Sequence, residues 1–529
     1  MISHLLHRIH VHALSSPDKT VFARIGRDGS INDQISFAGF EAWIQKMSCG
    51  LRRQVEHGAG IVLLYDTSFD FIKAFFSCIH AGLRPAAFQI PNSTYKFDRL
   101  LLQLEKAGIR HVLMTSRNHQ KSWFRKLAEQ HPHSDRLHWI MEDDCLSPAT
   151  YQDDLKPDLN MDDTMYYQFT SGSTGTVKLI PVSAANVHHN VTAIGEVIHQ
   201  HPDQIHLCWL PHYHDLGLVA GLFLPLCYGS TGYLLDPMDV AARPGLWLEC
   251  ISRYKATFTH TPNFGLDMCV DRITDPETLE KLDLSSLSGV MVCAEPIRKA
   301  SLDRFRDRFC PFGFPVNGFV TCYGMAESTL AVTMQALDTE VHSIGDDIRG
   351  QTFISCGRPI LGVTVRIAND SGDPAEVGEV VVSGSSLSGI FPASGLFSGD
   401  LGFLHDGELY ITGRKKEIII INGVNFLLHE IEYVIEQLPF VHERGALAYS
   451  VEGTNTEKLE VLIELKRSAL TDPDLALLKN KVVRKLNMEF GISPREVYFF
   501  GPAVLLKTSS GKKMRHGWQQ LLEKRLKTS

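Results

Sequence analysis

Short runs of apolar residues recur along the first 400 positions and alternate with longer segments whose apolar residues have helical spacing. Five of these runs predict buried strands, namely GIVLLYD at 60–66, RHVLMTS at 110–116, HLCWLP at 206–211, TGYLLDP at 231–237 and LSGVMVCAEP at 287–296. A strand that is apolar throughout is buried on both faces, which is typical of a parallel sheet covered by helices. The alternation therefore predicts layered α/β structure with largely parallel strands.

The pattern changes near position 400. Two strand-like segments flank an Asp-Gly pair at 406–407, which predicts a hairpin. Then follow an isoleucine strand at 418–421, a helix in HEIEYVIEQLP, and a strand, a helix and a strand in KLEVLIELK, DPDLALLKNKVVRKLNMEFG and REVYFF. We therefore predict a large N-terminal domain over 1–414 and a small α+β domain over 415–529. The short charged segment 414–417 suits a hinge between them.

The N-terminal stretch MISHLLHRIHVHALSSPDKT predicts an amphipathic helix ended by SSPDKT. It lacks the continuous apolar core of a secretory signal. The more apolar segment at 69–88, FDFIKAFFSCIHAGLRPAAF, is interrupted by charged residues and predicts a buried helix followed by a strand. Because no apolar run reaches about eighteen residues, we expect no membrane span.

Composition narrows the class of protein. A chain of 529 residues is too long for one core, and its net charge of −8 argues against a general nucleic-acid binder. The 11 cysteines are scattered, with no CxxC pair and no Cys/His cluster of zinc spacing. This distribution predicts reduced thiols in a cytoplasmic protein rather than disulfides or a structural metal site.

The stretch FTSGSTGTVKL at 169–179 combines glycines, small hydroxyl residues and one lysine. Backbone N–H groups in such a turn can point inward together, while hydroxyls and a cation add further donors, which suits a polyphosphate. The alternative is a polar surface loop. The spacing of the lysine and the glycines differs from the GxxxxGK[ST] phosphate loop.

Two further stretches carry residue types suited to chemistry. In WLPHYHDLGL, His214 could contact a carboxylate or phosphate, and Asp215 could accept from an amine or a ribose hydroxyl. In TCYGMAEST, Tyr323 could stack on a base and Glu327 could ligate Mg²⁺. The alternatives are a structural histidine and an ordinary strand-to-helix turn.

Seven stretches occur in the order of a known set of motifs, from about residue 165 to 515. FTSGSTGTVKL, YHDLGL, CAEP, CYGMAEST, FSGDLG, GRKKE and LLKTSSGKKMR resemble the signature motifs of the adenylate-forming superfamily. WLPHYHDLGLVAG, PNFGLDMCV, LDLSSLSGVMVCAEPIR and YGMAESTL are more specifically similar to fatty acyl-AMP ligases. The resemblance implies a large N-terminal domain of layered α/β subdomains and a small mobile α+β C-terminal domain.

The resemblance also implies a two-step reaction. A carboxylic acid, by default a fatty acid, attacks the α-phosphate of ATP and yields an acyl-adenylate and pyrophosphate, with Mg²⁺ as the metal. The phosphopantetheine thiol of an acyl carrier protein then takes the acyl group. Such catalysis needs no protein nucleophile and relies on positioning and charge stabilisation.

Roles carry over from the family to the matching positions. The phosphates are assigned to Thr170, Ser171, Gly172, Ser173, Thr174, Gly175 and Lys178, and Mg²⁺ to Glu327 with Thr174. The adenine is assigned to Ala294, Glu295 and Tyr323, the ribose to Asp400 and Arg414, and Gly324, Met325 and Ala326 are further candidates for binding the nucleotide. His214, Glu327 and Lys512 are the catalytic candidates, with Lys513 as the competitor of Lys512, and Lys416 is the expected hinge residue.

One departure from the family concerns the acid. Fatty acyl-AMP ligases commonly have two glycines before PNF, where this chain has His260 and Thr261. With Asn263 and Asp215 these residues are the candidates for the acyl channel. The imidazole could shorten the channel or contact a polar group on the acid, and the alternative is a side chain turned away into the core.

A second departure concerns the acceptor. The stretch from Glu327 to the SCGRP motif at 355–359 is short for the subfamily and closer to CoA ligases. A CoA ligase is therefore the alternative to carrier-protein transfer. A non-catalytic nucleotide- or acyl-binding scaffold is disfavoured because Glu327, Asp400, Arg414 and Lys512 are all present.

Overall fold

The computed structural model describes residues 4–66, 69–131, 134–146, 159–170, 178–346, 351–421, 424–451, 457–470, 474–505, 513–515 and 518. The α-helices are α1 Leu5–Ser15, α2 Phe37–Gln54, α3 Phe69–His80, α4 Thr94–Ala107, α5 Ser116–His119, α6 Ser122–Gln130, α7 Glu142–Cys145, α8 Ala184–Val197, α9 Leu224–Tyr228, α10 Pro237–Ala242, α11 Gly245–Tyr254, α12 Asn263–Arg272, α13 Pro276–Glu280, α14 Lys299–Phe309, α15 Leu428–Glu436 and α16 Leu475–Phe490. A π-helix spans Leu216–Phe223, and 3₁₀ turns span Ser134–Arg136, Cys310–Phe312, Ala326–Ser328, Lys415–Glu417 and Arg467–Ala469.

The strands are β1 Thr20–Ile25, β2 Ile31–Ser36, β3 Gly60–Leu64, β4 Arg84–Phe88, β5 His111–Met114, β6 His138–Met141, β7 Thr164–Thr170, β8 Lys178–Ser183, β9 Ile205–Cys208, β10 Thr231–Leu234, β11 Phe258–Thr261, β12 Gly289–Val292, β13 Phe319–Gly324, β14 Ala331–Met334, β15 Ser343–Asp346, β16 Gln351–Ile354, β17 Arg358–Pro359, β18 Val363–Ala368, β19 Val377–Gly384, β20 Leu396–His405, β21 Glu408–Arg414, β22 Ile418–Ile421, β23 Val424–Leu427, β24 Val441–Val451, β25 Lys458–Leu465 and β26 Glu496–Phe500. The mixed α/β class predicted from the sequence is confirmed.

Two large sheets dominate the fold. One has the strand order β17-β14-β13-β12-β11-β9-β10-β1-β2, and the other has the order β6-β5-β3-β4-β7-β8. The inner pairs of both sheets are parallel, while β1–β2, β13–β14, β14–β17 and β7–β8 are antiparallel. All five strands predicted from apolar runs are present, as β3, β5, β9, β12 and β10. Parallel strands bring their carboxyl ends to one edge of a sheet, where open α/β folds bind ligands.

The predicted helix and strand at 69–88 are α3 and β4. Ten of the twelve α3 residues are buried, although the segment contains Asp70, Lys73 and His80. Lys73 lies over the ring of Trp43, with its ammonium 3.9 Å from the ring centroid, so the cation is paired within the fold. The sequence begins with the expected helix α1, whose Leu5, Leu6 and Ile9 are buried. Within the described residues no helix is long and apolar enough to cross a bilayer.

The chain divides into two compact units. The larger consists of the described residues within 4–170, 178–398 and 402–411. The smaller consists of 399–401 and the described residues from 412 onward. The smaller unit contains the sheet β24-β25-β26, the ribbon β22–β23 and the helices α15 and α16. The hairpin predicted at Asp406-Gly407 joins β20 to β21, and both turn residues have positive φ, 51° and 80°. The domain boundary at 414 stays a prediction.

Strand β24 is one element of the smaller unit that the apolar pattern does not predict. Its first half contains His442, Glu443 and Arg444, and the register with β25 shifts between Val441 and Ala446. Arg444 has φ 53°, which marks a bulge. Because the charged residues occupy the bulge, only Gly445–Tyr449 of the strand are continuously buried.

Candidate active site

The predicted phosphate loop joins two antiparallel strands of the six-stranded sheet. Thr170 ends β7, Lys178 begins β8, and the two are register partners. The loop residues Ser171, Gly172, Ser173, Thr174 and Gly175 lie outside the described residues. Thr170 Oγ1 is buried and has no hydrogen-bond partner in the described structure. A buried hydroxyl without a partner is uncommon in native proteins, so this atom is a candidate to contact a ligand.

Strand β7 leads into the predicted loop, and β8 lies between the loop and the helix α8. Ser183 begins α8 with a capping box, since its hydroxyl accepts from Asn186 N and the Asn186 side chain accepts from Ser183 N. Asn186 Nδ2 also donates to the carbonyls of Ser385 and Leu387 over 2.8 and 3.0 Å. The start of α8 is therefore held to residues 385 and 387 by one buried amide.

Glu327 lies on the 3₁₀ turn Ala326–Ser328, which packs against β7 and β8. Its backbone carbonyl accepts from Ser388 N over 2.9 Å, and Asn190 Nδ2 donates to Ser328 O over 3.2 Å. The Glu327 side chain is partly exposed. The tertiary fold thus brings this carboxylate to the strands that bound the predicted phosphate loop.

A carboxylate oxygen beside a phosphate-binding loop is the type of ligand that Mg²⁺ prefers, because Mg²⁺ takes few protein carboxylates and keeps substrate phosphates and water. Glu327 fits this role. Its predicted co-ligand Thr174 lies outside the described residues. Within the described ranges, no group of three or more His, Cys, Asp or Glu residues is arranged to hold a metal.

The adenine candidates follow two neighbouring parallel strands. Val292 of β12 pairs with Thr321 of β13, so Ala294 and Tyr323 lie just beyond adjacent strands. Ala294 has φ 72°, a left-handed conformation that costs energy for a residue other than glycine. Glu295 Oε2 accepts from Phe264 N over 3.1 Å, which ties the CAEP loop to α12.

The residues after Tyr323 form a tight turn. A Cβ on Gly324 would lie 2.0 Å from Leu330 O, so only glycine fits this position. Met325 N donates to the same Leu330 carbonyl over 2.8 Å. Ala326 is buried at the start of the 3₁₀ turn. The turn therefore fixes the separation between the predicted adenine platform and Glu327.

His214 and Asp215 lie between β9 and the π-helix. His214 Nδ1 is 2.6 Å from Asp215 Oδ1, and Asp215 Oδ1 accepts from Leu216 N over 2.8 Å. Asp215 therefore caps the π-helix and orients the imidazole. Gln168 Nε2 donates to Tyr213 O over 3.0 Å, which holds this turn next to β7. The fold thus brings His214 near the strand that leads into the phosphate loop.

His260 is completely buried on β11, between β9 and β12. Its Nε2 is 3.2 Å from Cys208 Sγ, and its Nδ1 has no partner in the described structure. Burial lowers the pKa of His260 to about 3, so the ring is neutral at neutral pH. The ring faces the π-helix, because a Cβ on Gly221 would lie 3.5 Å from His260 Nε2.

The other two acyl-channel candidates on this segment have structural partners. Thr261 Oγ1 donates to Pro262 O over 3.0 Å. Asn263 Nδ2 donates to Ser301 Oγ over 3.0 Å, and Asn263 Oδ1 accepts from Arg298 N over 3.1 Å. Both polar ends of Asn263 therefore hold α12 to α14.

Sequence reasoning did not single out His212. It is buried, and its ring lies 5.7 Å from Phe71. Burial, with a smaller contribution from His260, lowers the pKa of His212 to about 3. With Tyr65, Asp66, Phe71, Phe88 and Tyr213 it lines a narrow recess. The only sequence signal was its place in the motif WLPHYHDLGL.

In the smaller unit, Arg414 Nε donates to Asp400 Oδ1 over 2.7 Å. Lys416 lies on the 3₁₀ turn Lys415–Glu417. Lys512 lies outside the described residues. The side chain of its competitor Lys513 is only 13% exposed and contacts Glu432 and Glu436 over 3.0 and 2.5 Å. These two carboxylates occupy Lys513, which leaves Lys512 as the better candidate for chemistry.

Comparison with known proteins identifies the class. The sequence model of the AMP-binding enzyme family matches residues 9–390. The chain belongs to this family and is an adenylate-forming ligase that uses ATP.

The chain is 31% identical to the medium-chain-fatty-acid–[acyl-carrier-protein] ligase JamA of Moorena producens, over 91% of this chain and 89% of that protein. One solved structure of the fatty acyl-adenylate ligases from E. coli and L. pneumophila aligns with a TM-score of 0.89 and 28% identity, over 99% of both chains. A fatty acyl-adenylate ligase from L. pneumophila in complex with acyl adenylate and pyrophosphate aligns with a TM-score of 0.72 and 25% identity, over 99% of this chain and 96% of that one.

Proposed function

We propose that this ligase activates a medium-chain fatty acid as its acyl-adenylate and transfers the acyl group to the phosphopantetheine thiol of an acyl carrier protein. The observation that carries the proposal is the packing of the Glu327 turn against β7 and β8, the strand pair in which β7 ends at Thr170 with its unpartnered hydroxyl. The similarity to a medium-chain-fatty-acid–[acyl-carrier-protein] ligase supports the acid and the acceptor.

In the first step the acid carboxylate attacks the α-phosphate of ATP, and pyrophosphate leaves. Thr170, the loop 171–175 and Lys178 bind the β- and γ-phosphates. Glu327 would hold Mg²⁺, and the ion would supply charge neutralisation for the phosphates. Lys512 bridges the attacking carboxylate and the α-phosphate, and a mobile ammonium suits a group needed for one step only.

The nucleoside part of ATP has its own set of residues in this proposal. Tyr323 stacks on the adenine, which Ala294 and Glu295 border. Asp400 accepts from the ribose hydroxyls, and Arg414 steadies that carboxylate. A carboxylate oxygen pair can accept two hydroxyl hydrogen bonds, which matches the 2′ and 3′ positions of ribose.

In the second step the small domain rotates about Lys416, so that Lys512 leaves and the thiol enters, as hinge motion permits. The thiol loses its proton and its sulfur attacks the acyl carbonyl; the C–S bond of the thioester forms, the C–O bond to the phosphate breaks, and AMP leaves. We also propose a cytoplasmic location, which agrees with the absence of disulfides among the eleven described cysteines. CoA remains a second candidate acceptor, because the described residues between Glu327 and Ser355 contain only β14, β15 and β16 as regular elements.

Carboxylate-dependent ATP–pyrophosphate exchange tests the first step. The acids compared are fatty acids of graded length together with hydroxy and aromatic acids. We expect exchange that peaks with medium-chain acids. Product analysis with holo carrier protein in one arm and CoA in the other tests the acceptor. If none of the acids supported exchange, the proposed adenylation would be contradicted. Transfer to CoA alone would contradict the carrier protein as acceptor.

A further inference from the structure

A largely buried ionic cluster lies directly after Lys512 in the chain. Lys513 contacts Glu432 and Glu436, and Arg515 contacts Glu432 and Glu417, the latter over 3.4 Å. The side chains of Glu432, Lys513 and Arg515 are only 4%, 13% and 15% exposed. Buried charges are costly unless they are paired, so this cluster constrains the chain more than a surface ion pair does.

Glu432 is the centre of the cluster. It is a buried residue of α15, and its Oε1 also accepts from Ala448 N over 2.9 Å. Arg515 Nη1 donates to the carbonyl of the same Ala448 over 2.8 Å. Burial alone would raise the pKa of Glu432, but Lys513 and Arg515 hold this pKa below its usual range. One carboxylate thus joins α15, strand β24 and residues 513–515.

Apolar packing fixes the chain on both sides of this point. Leu505 and Trp518 belong to one cluster of buried side chains with Tyr449. Trp518 Nε1 donates to Met514 O over 2.6 Å, and Leu505 N donates to Glu464 Oε1 over 2.5 Å. The described residues on either side of 506–512 are therefore both tied to the β24–β25 pair.

The cluster also selects the register of the chain. Residues 512–516 read KKMRH, and the two cations that reach the carboxylates are Lys513 and Arg515. A shift by one residue in either direction would replace one of these cations by Met514. At least one of Glu417, Glu432 and Glu436 would then lose a cationic partner, which is unfavourable for carboxylates that are largely withdrawn from water.

We propose that Glu432, Lys513 and Arg515 form an anchor that positions Lys512 for adenylate formation, with Glu432 and Lys513 acting as positioning residues. The two adjacent lysines then have opposite roles, since Lys513 is neutralised inside the small unit while Lys512 acts on the substrate. This inference rests on the proposed function, because it takes Lys512 as the catalytic lysine of the first step. A displacement of about 1 Å at a reacting group can lower a rate on the order of 100-fold.

The test measures the two half-reactions separately in the full-length protein. Adenylate formation is followed in a single turnover with ATP and the best acid. Acyl transfer is followed from supplied acyl-adenylate to holo carrier protein. The variants are Lys513→Met and Glu432→Gln. Lys485→Met is the matched control, because Lys485 pairs with Glu489 at the surface of α16 in the same unit. Amide hydrogen exchange of peptides covering 513–518 gives a readout independent of activity.

We expect Lys513→Met to slow adenylate formation by about 30-fold or more, to change acyl transfer less than about 3-fold, and to speed hydrogen exchange at 513–518. Lys513→Arg, which keeps the cation, should recover most of the lost rate. Lys485→Met should match the wild type. If Lys513→Met does not fold, the double variant Lys513→Met/Glu436→Gln replaces it, because Arg515 still matches Glu432.

Two results would overturn the anchor. Adenylate formation within about 3-fold of wild type in Lys513→Met would show that Lys512 needs no such positioning. An equal loss in both half-reactions would show that the cluster only stabilises the small unit. Absence of adenylate formation in the wild type would instead overturn the proposed function, and hydrogen exchange at 513–518 would still report whether the anchor exists.

Discussion

Asp400 Oδ1 accepts a hydrogen bond from Arg414 Nε over 2.7 Å, although fourteen positions separate the two residues. The Asp400 side chain is 13% exposed and that of Arg414 is 42% exposed. The guanidinium therefore orients a carboxylate that keeps some access to solvent. Such a carboxylate is ready to accept hydrogen bonds from a diol, which is the role we propose for Asp400 toward ribose.

From this relationship we expect Asp400→Ala to raise the KM for ATP by on the order of 10-fold or more, since a charge-assisted hydrogen bond is lost. Arg414→Met should raise the KM for ATP less, because the Asp400 carboxylate remains. Pyrophosphate-exchange kinetics at saturating acid measure both. Arg125→Met, which breaks a surface pair with Glu129, is the control. An unchanged KM in Asp400→Ala would remove this residue from the ribose site.

Thr170→Val tests the unpartnered hydroxyl at the end of β7. The substitution keeps the shape of the side chain and removes a buried polar atom that has no partner in the described structure. We therefore expect the free energy of unfolding to stay within about 1 kcal/mol of wild type, while affinity for ATP falls by about 5- to 10-fold. Denaturant unfolding and nucleotide titration measure the two effects. Thr164→Val at the other end of β7 is the control, and equal affinity in both variants would count against a contact with phosphate.

Lys512→Ala should nearly abolish adenylate formation and leave acyl transfer from supplied acyl-adenylate largely intact. The reason is that its charge is needed only while the carboxylate attacks the α-phosphate. Single-turnover assays of each half-reaction measure this, with Lys524→Ala as the control that removes another lysine from the same C-terminal segment. If both half-reactions fell together, the assignment of Lys512 to the first step alone would be wrong.

His260→Gly should shift the exchange profile toward longer acids, because the buried imidazole is replaced by space between β11 and the π-helix. The cavity should also lower the free energy of unfolding by roughly 2 kcal/mol or more. His206→Gln is a matched control, since His206 is equally buried on the neighbouring strand β9. An unchanged chain-length profile would place His260 outside the acyl channel.

Acidification should destabilise the larger unit through its buried histidines. Burial lowers the pKa of His206, His212 and His260 from the ordinary value of 6.5 to about 3. Between these values the unfolded chain binds protons that the folded protein does not, so stability falls as the pH falls below about 6.5. At pH 5 each histidine contributes about 2 kcal/mol of this loss.

Denaturant unfolding from pH 8 to pH 5 measures the slope of the free energy of unfolding against pH. His260→Gln removes one titrating ring and should flatten the pH dependence, whatever its effect at pH 8. A slope identical to that of the wild type would show that His260 is accessible to protons in the folded protein.

The local pattern predicted β9 and β12, two of the strands that carry the candidate site. The apolar runs that became β3, β5, β9, β10 and β12 were recognisable because a strand buried on both faces needs apolar side chains throughout. The Asp406-Gly407 turn was recognisable because both residues tolerate positive φ. Strand β24 was not predicted, because its charged first half forms a bulge whose geometry depends on the register with β25.

The residues Glu432 and His212 show what the pattern could not provide. Glu432 occurs in a helix sequence with other acidic residues, and nothing local separates it from Glu430 or Glu436. Its role arises because α15 packs against β24 and brings the carboxylate to Lys513, eighty-one positions away. His212 likewise became notable only when α3 and the turn after β9 enclosed it.

The sequence by itself determined the class of this protein, because ordered motifs and turn residues encode local chemistry that each short segment carries independently. It also predicted several of the helices and strands, through apolar periodicity and turn residues. The tertiary structure decided which side chains meet: the Glu327 turn against β7 and β8, the capping of the π-helix by Asp215 beside His214, and the enclosure of Lys513 among carboxylates. These depend on contacts between distant segments, whose energies come from burial and charge pairing that no local pattern specifies.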